Sequence, residues 1–290
     1  MNSSNLCSVE QLKTFQDSGD VCVLDASWYM PSAKRDTHAE YRQKRIPGAI
    51  FWDIDKIADT RQDLPHMLPT ERVMSQVCNQ LGVSSESRIV IYDTSGLFSA
   101  ARAWWTFKTF GFNQVQVLDG GLPAWLDADG KIESGEAAIS IETNSAENYE
   151  VFIRPDETFL ASRHVLINNI ESQEYVVLDA RSKGRFDGTD PEPRPELRSG
   201  HMPGSYSLPF DTLITEGRLK AKGDLVDLFS RFGLNPNLDD KQIVTSCGSG
   251  VTAAIITLAL VEAGFPHHRL YDGAWCDWAS ANDTTILSAE

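Results

Sequence analysis

The stretch IVTSCGSGVTAAII (243–256) sets a cysteine directly after a short apolar run and just before a helix-like apolar segment, with two glycines in the turn between them. A strand that passes into a helix through so tight a turn reads as one unit of an α/β fold. Glycine tolerates left-handed backbone angles, so the N–H groups of such a turn can point inward, and the helix start adds unpaired N–H groups and a partial positive charge. The predicted geometry is a cradle for an anion, with Cys247 at its head. A cradle of that kind favours thiolate over thiol, which makes Cys247 a nucleophile by position. Without the glycine turn the ordinary reading of a lone free cysteine, a small buried residue at a strand end, would stand.

Working outward, the same pattern occurs a second time. RIVIYDTSG (88–96) matches QIVTSCGSG (242–250), so that Asp93 stands where the other copy has Cys247. Around this pair, VCVLDAS (21–27) matches YVVLDAR (175–181), and Arg45-Ile46-Pro47-Gly48 matches His201-Met202-Pro203-Gly204. LDGGLPAW (118–125) matches YDGAWCDW (271–278), and all four anchors share nearly one offset, which implies duplication. One copy carries a thiol and the other, with an aspartate, is silent.

Each half alternates strand-like and helix-like segments. SVEQLKTF opens a helix on a capping box of Ser8 and Gln11, and VTAAIITLALVEAG reads as an apolar helix stopped at Gly264. The expected fold is α/β: two tandem domains, each a mainly parallel sheet flanked by helices. Residues 127–150 lose apolar periodicity and gather Gly, Ser, Asn and Glu, as a linker does. The division read from this is a non-catalytic domain over 1–140, a linker over 141–156 and a catalytic domain over 157–290.

A chain of 290 residues exceeds what one core usually organises, in keeping with two domains. No apolar run reaches the roughly 18 residues that span a bilayer, and the N-terminus MNSSNLCSVEQLKTF has neither a secretory nor a transit character, so the expected compartment is the cytoplasm. A formal net charge of −15 repels nucleic-acid phosphates and anionic membranes, so neither is expected as a partner, and an anionic substrate needs a local basic pocket. The five cysteines, Cys7, Cys22, Cys78, Cys247 and Cys276, are scattered without metal-ligand spacing, so no disulfide framework, metal or cofactor is expected. Cys22 and Cys78 fall at core positions, and Cys276, in a turn, reads as a packed thiol, with a redox disulfide left open. Trp104, Trp105, Trp125, Trp275 and Trp278 read as core or domain-interface aromatics.

CGSGVTA, the duplicated DA(S/R) and (I/M)PG anchors and LDGGLPAW resemble the two-domain rhodanese superfamily over nearly the whole chain, whose second domain carries the catalytic cysteine. Within it the CGSG loop is similar to the mercaptopyruvate branch, since Gly248 and Ser249 offer none of the cations found after the cysteine in thiosulfate enzymes; DASWYMP, IPGAIFWDID and HMLP are similar to that branch too.

The resemblance implies substrate-gripping arginines at Arg185 (KGRFDG) and Arg194 (EPRPE), where guanidinium forks suit a carboxylate and its neighbouring carbonyl. Composition alone would have them balance Asp187, Asp190, Glu192 and Glu196 in a solvated loop. It also implies a cooperating serine, histidine and aspartate at Ser249, His66 and Asp55, and loop contacts to substrate from Gly248, Gly250, Val251 and Thr252. By themselves these would be turn and loop residues. Asp179 is read as structural, bonding local backbone or Arg181.

The implied activity is transfer of sulfur from 3-mercaptopyruvate through a Cys247 persulfide to a thiol such as thioredoxin, or to cyanide, with release of pyruvate. Thiosulfate is the alternative donor. A cysteine phosphatase needs an arginine closing the loop, and Ala253 occupies that place. A non-catalytic redox or partner-binding module remains the reading from another class.

Overall fold

Residues Ile89–Tyr92 are buried without exception, and four of the five in Gln242–Ser246 are. Strands this apolar need helices on both faces, which is the setting of a parallel sheet. The computed structural model describes residues 4–136, 140–143, 153–236 and 241–289. Its first sheet is formed by β1 (Leu6–Cys7), β2 (Cys22–Asp25), β3 (Ile50–Phe51), β4 (Ile89–Tyr92) and β5 (Val115–Leu118) in the order β1-β5-β4-β2-β3. The chain continues through β6 (Leu160–Ala161), β7 (Tyr175–Asp179), β8 (Ser205–Ser207), two short strands β9 (Ile214–Thr215) and β10 (Arg218–Leu219), then β11 (Gln242–Ser246) and β12 (His268–Tyr271). The second sheet runs β6-β12-β11-β7-β8, the order of the first, and every pairing in both is parallel. Register repeats as well: Asp25 lies beside Tyr92, and Asp179 beside Ser246. The duplicated α/β architecture expected from the sequence is therefore present, with Asp93 and Cys247 each one residue beyond the carboxyl end of the central strand. That end is where open α/β sheets place their ligands.

Five helices accompany each sheet among the described residues. The first set is α1 (Val9–Ser18), α2 (Thr37–Gln43), α3 (Glu71–Leu81), α4 (Ala100–Thr109) and α5 (Gly121–Asp127). The second is α6 (Arg163–Ser172), α7 (Lys183–Asp187), α8 (Lys222–Ser230), α9 (Ala253–Ala263) and α10 (Ala274–Ser280). The Ser8–Gln11 capping box starts α1, and Gly264 ends α9 in the left-handed conformation, as the sequence predicts. Ile255, Ile256, Leu258 and Leu260 of α9 are fully buried, each worth about 1.5–3 kcal/mol of transfer free energy. That burial fixes the helix whose first turn follows the Cys247 loop. The five tryptophans named above are buried as well.

The chain forms two compact units, the first of residues 1–61, 68–156 and 216–219, the second of 62–67, 157–215 and 220–290. Two contiguous domains are what duplication predicts, and two short segments depart from that. Residues 216–219 join the first unit because the Leu219 N–H and an Arg218 guanidinium N–H donate to Asp119, at 3.1 and 2.9 Å, and Gly217 packs against Gly96. Residues 62–67 join the second unit and bring His66 to Ser249. Sequence periodicity reports neighbours along the chain and is blind to such exchanges. Residues 144–152 of the expected linker lie outside the described residues.

The repeats differ sharply at their buried aspartates. Asp179 is paired with Arg181, whereas Asp25 has no cation in that place and is bonded by the Ser27 hydroxyl at 2.5 Å, the Ser27 N–H at 3.0 Å and the Tyr92 hydroxyl. Burial pushes the Asp25 carboxyl up to about 6 despite its hydrogen bonds. A folded-state value above the unfolded one means that the folded chain holds this proton more tightly. The stabilisation is therefore complete below the unfolded value of 3.8 and lost as pH rises to about 6. Asp25→Asn is expected to abolish that loss, so denaturant midpoints followed across this window should fall with rising pH less in the variant than in the wild type.

Candidate active site

Cys247 follows the last residue of β11, and the loop turns at Gly250, whose φ of 79° is in the left-handed region that glycine supplies without strain. The Cys247 carbonyl accepts the Trp275 N–H at 2.9 Å and the Gly248 carbonyl accepts the Cys276 N–H at 3.0 Å. These two bonds tie the loop to α10, while α9 holds its other end.

The first repeat displays what such a loop does. Asp93 Oδ1 accepts the Ser95 N–H at 2.9 Å, and Oδ2 accepts those of Phe98, Ser99 and Ala100 at 2.8, 2.9 and 2.9 Å. Gly96 turns that loop at φ 98°, as Gly250 turns the other, and the Leu122 N–H donates to the Asp93 carbonyl at 2.9 Å, as Trp275 does to Cys247. Four amides thus converge on one anion held by the side chain at the loop's head. Their counterparts in the second repeat are the amides of Ser249, Thr252, Ala253 and Ala254.

Beside this loop lies a ladder of charges. Arg181, fully buried, donates to Asp179 at 2.7 Å and to Glu192 at 2.9 Å; Glu192 in turn accepts from Arg185 at 2.6 Å. Arg181 also lies 4.0 Å from the centroid of the Trp275 ring. Glu192 thus fixes the Arg185 guanidinium from behind, and that guanidinium reaches over Gly248, where an added Cβ would come within 3.0 Å of Nη2. The missing side chain at 248 is what gives Arg185 its place. Arg194 has no ion-pair partner among the described residues. Its positive field, with that of Arg185, acts on the Cys276 thiol, which burial nevertheless pushes up to about 11. Both arginines therefore lie close to the loop, one braced and one uncommitted.

His66 Nδ1 is 3.0 Å from Ser249 Oγ, and both side chains are buried. The histidine takes a positive φ of 59°, a conformation a non-glycine residue adopts only where its surroundings enforce it. Asp55, in the first unit, accepts from the Trp28 indole N–H at 3.2 Å. Val251 is buried and Thr252 half-buried, both between the loop turn and α9. Cys247 is itself deep, only 2% exposed, whereas the Arg185 side chain keeps 20% of its surface. Sequence reasoning missed Glu192, which it placed in a solvated loop; the segment has no periodicity, and only the pairing with two arginines reveals a buried carboxylate.

The other thiols are poorly suited to nucleophilic work. Burial pushes Cys7, Cys22 and Cys78 up to about 12. Cys78 is buried, as its core assignment requires, and Cys22 half-buried. Among the described residues no group of three or more His, Cys, Asp or Glu side chains could hold a metal ion, and no helix is long and apolar enough to cross a membrane.

Comparison with known proteins agrees with this geometry. The model of the rhodanese-like domain matches twice, over residues 8–128 and 162–281. The 3-mercaptopyruvate sulfurtransferase of Escherichia coli K12 is 36% identical over 288 residues, covering 99% of each chain. The mitochondrial thiosulfate/3-mercaptopyruvate sulfurtransferase 1 of Arabidopsis thaliana is 39% identical over 311 residues, covering 99% of this chain and 79% of that one. The crystal structure of SseA from Escherichia coli, described as a 3-mercaptopyruvate sulfotransferase, superposes with a TM-score of 0.81 at 34% identity, over 94% of this chain and 99% of that one.

Removing Arg181 would strand the buried Asp179 carboxylate and leave Glu192 with Arg185 alone. Arg181→Met is expected to cost about 3–5 kcal/mol in chemical denaturation, the usual penalty for an uncompensated buried charge. Glu192→Gln, which keeps the shape and removes one charge, should cost less than half of that.

Proposed function

The chain belongs to the rhodanese-like family, in two copies, and on that footing we propose that it is a 3-mercaptopyruvate sulfurtransferase working through a persulfide on Cys247. The observation that carries the reading is the paired loop. A persulfide, Cβ–Sγ–Sδ, has the same atom path and terminal negative charge as the Cβ–Cγ–Oδ of aspartate. The four amides that serve Asp93 Oδ1 and Oδ2 therefore mark where the equivalent amides would meet the outer sulfur of a charged Cys247.

In this mechanism the Cys247 thiolate attacks the sulfur of 3-mercaptopyruvate, an S–S bond forms, and the C–S bond breaks with its electron pair passing to the substrate as the enolate of pyruvate. The proton released as the persulfide ionises goes to the enolate carbon, giving pyruvate. Arg194 and the braced Arg185 hold the carboxylate and adjacent carbonyl oxygen. The Ser249 hydroxyl, set by His66, donates to the enolate oxygen. The Gly248–Thr252 backbone encloses the sulfur. A thiol acceptor, thioredoxin among them, then attacks the outer sulfur and restores Cys247. The cytoplasm is the proposed compartment.

Thiosulfate is the second donor to consider, because the Arabidopsis relative carries both names. A sulfonate dianion would need cations on the loop itself, and Gly248 supplies none, so mercaptopyruvate should be favoured in kcat/KM.

Mass spectrometry after mercaptopyruvate addition without acceptor is expected to find one added sulfur on the peptide containing Cys247. Cys247→Ser should form no pyruvate; sulfur on another cysteine, or turnover by the serine variant, would refute the mechanism.

Arg194→Ala should raise KM for mercaptopyruvate by about ten- to a hundredfold, the effect of losing a charged hydrogen bond to a carboxylate. Gly248→Ala, whose Cβ would press on the Arg185 guanidinium, should raise KM in the same direction. Neither should slow alkylation of Cys247 by a neutral reagent, and equal losses in both assays would count against carboxylate recognition.

A further inference from the structure

The silent repeat has kept a cavity of its own, of about 410 Å³, and it is lined by different chemistry. Thr94 lines it, the residue after Asp93 as Gly248 is the residue after Cys247, and so do Leu122 and Pro123, the counterparts of Trp275 and Cys276. This is therefore the first repeat's version of the catalytic cleft. Its nucleophile is replaced by Asp93, whose carboxylate is already satisfied by four amides.

The anion-gripping arginine is replaced as well. Phe186 stacks on His201 at 4.1 Å, just before Met202-Pro203-Gly204; Tyr41 packs against the Arg45 guanidinium at 4.8 Å, just before Ile46-Pro47-Gly48. Tyr41 thus answers to Phe186, and Glu40 to Arg185. Glu40 is held by Arg35 through two bonds of 2.7 Å and by the Tyr29 hydroxyl at 2.8 Å, while Arg35 lies over the Tyr29 ring at 3.8 Å. That cluster is closed on itself and neutral.

Two lining charges remain uncommitted. Lys44, at the end of α2, and Asp127, at the end of α5, pair neither with each other nor with any described residue. Between the loop and Asp127, α5 contributes the apolar surfaces of Pro123 and Leu126, with the buried Leu122 also at the lining. One free cation, one free anion and an apolar face in a cavity of ligand size suit a small zwitterion better than an acid or an amine alone, because either of those would leave a like charge unanswered.

We propose that this cavity binds a free α-amino acid with an unbranched apolar side chain, its carboxylate on Lys44, its ammonium on Asp127 and its side chain on the apolar face of α5. The site is separate from the sulfur-transfer loop and needs no reaction there.

Isothermal titration calorimetry of the full chain with L-methionine tests it, beside two half-ligands: 4-(methylthio)butanoate, which lacks the amine, and 3-(methylthio)propylamine, which lacks the carboxylate. Saturable binding of methionine is expected, weakened about tenfold or more in either half-ligand and in Lys44→Met and Asp127→Asn, as loss of a charged contact implies. Arg185→Ala should bind methionine as the wild type does, and the Lys44 and Asp127 variants should keep mercaptopyruvate turnover. Absence of saturable binding, equal affinity for the half-ligands, binding indifferent to both cavity variants, or binding lost in Arg185→Ala would each overturn the proposal.

Discussion

Convergence of backbone N–H groups on the side chain at the head of a strand-to-helix turn is the constraint around which the first repeat is arranged, and the second repeat has the same elements. It needs a central strand to deliver the head residue, a glycine to let the chain reverse, and a firmly packed helix to hold the last donors. β4, Gly96 and α4 meet these needs in the first repeat; β11, Gly250 and α9 meet them in the second. The burial of α9 and the backbone bonds from Trp275 and Cys276 have no chemistry of their own, yet they hold both ends of the Cys247 loop in place. The head residue, an aspartate in one loop and a cysteine in the other, separates the two.

The second constraint is the buried carboxylate–guanidinium ladder of Asp179, Arg181, Glu192 and Arg185. Charges at this depth are tolerable only when each has a partner, so the ladder behaves as one object and its outer rung is held in place by its inner ones. The Arg185 guanidinium is thereby anchored in the core. Arg194 has no ion-pair partner among the described residues, and the bare Cα of Gly248 leaves the room in which the braced guanidinium sits.

Much of this was legible in the chain itself. The duplicated anchors disclosed two α/β repeats, and the Cys-Gly-Ser-Gly turn disclosed the loop, because strand, turn and helix signals are local and each kind of residue has a local reason to be there. The pairing of His66 with Ser249 was implied by resemblance to a family rather than by any spacing, since the two residues stand 183 positions apart. Glu192 was hidden for a different reason. A carboxylate among Asp187, Asp190 and Glu196 looks like a member of a hydrated cluster until the fold withdraws it from water. The exchanged segments 62–67 and 216–219 were equally hidden, because nothing in their composition distinguishes a loop that returns to its own repeat from one that leaves it.

That first exchange limits how the molecule could be divided. Cut ahead of Glu157, the C-terminal fragment would keep its thiol, its loop and both arginines, but it would part from the imidazole that rests against Ser249. The first half of the chain is thus a supplier to the second unit. A lineage that discarded the residues ahead of Glu157 would discard that imidazole with them.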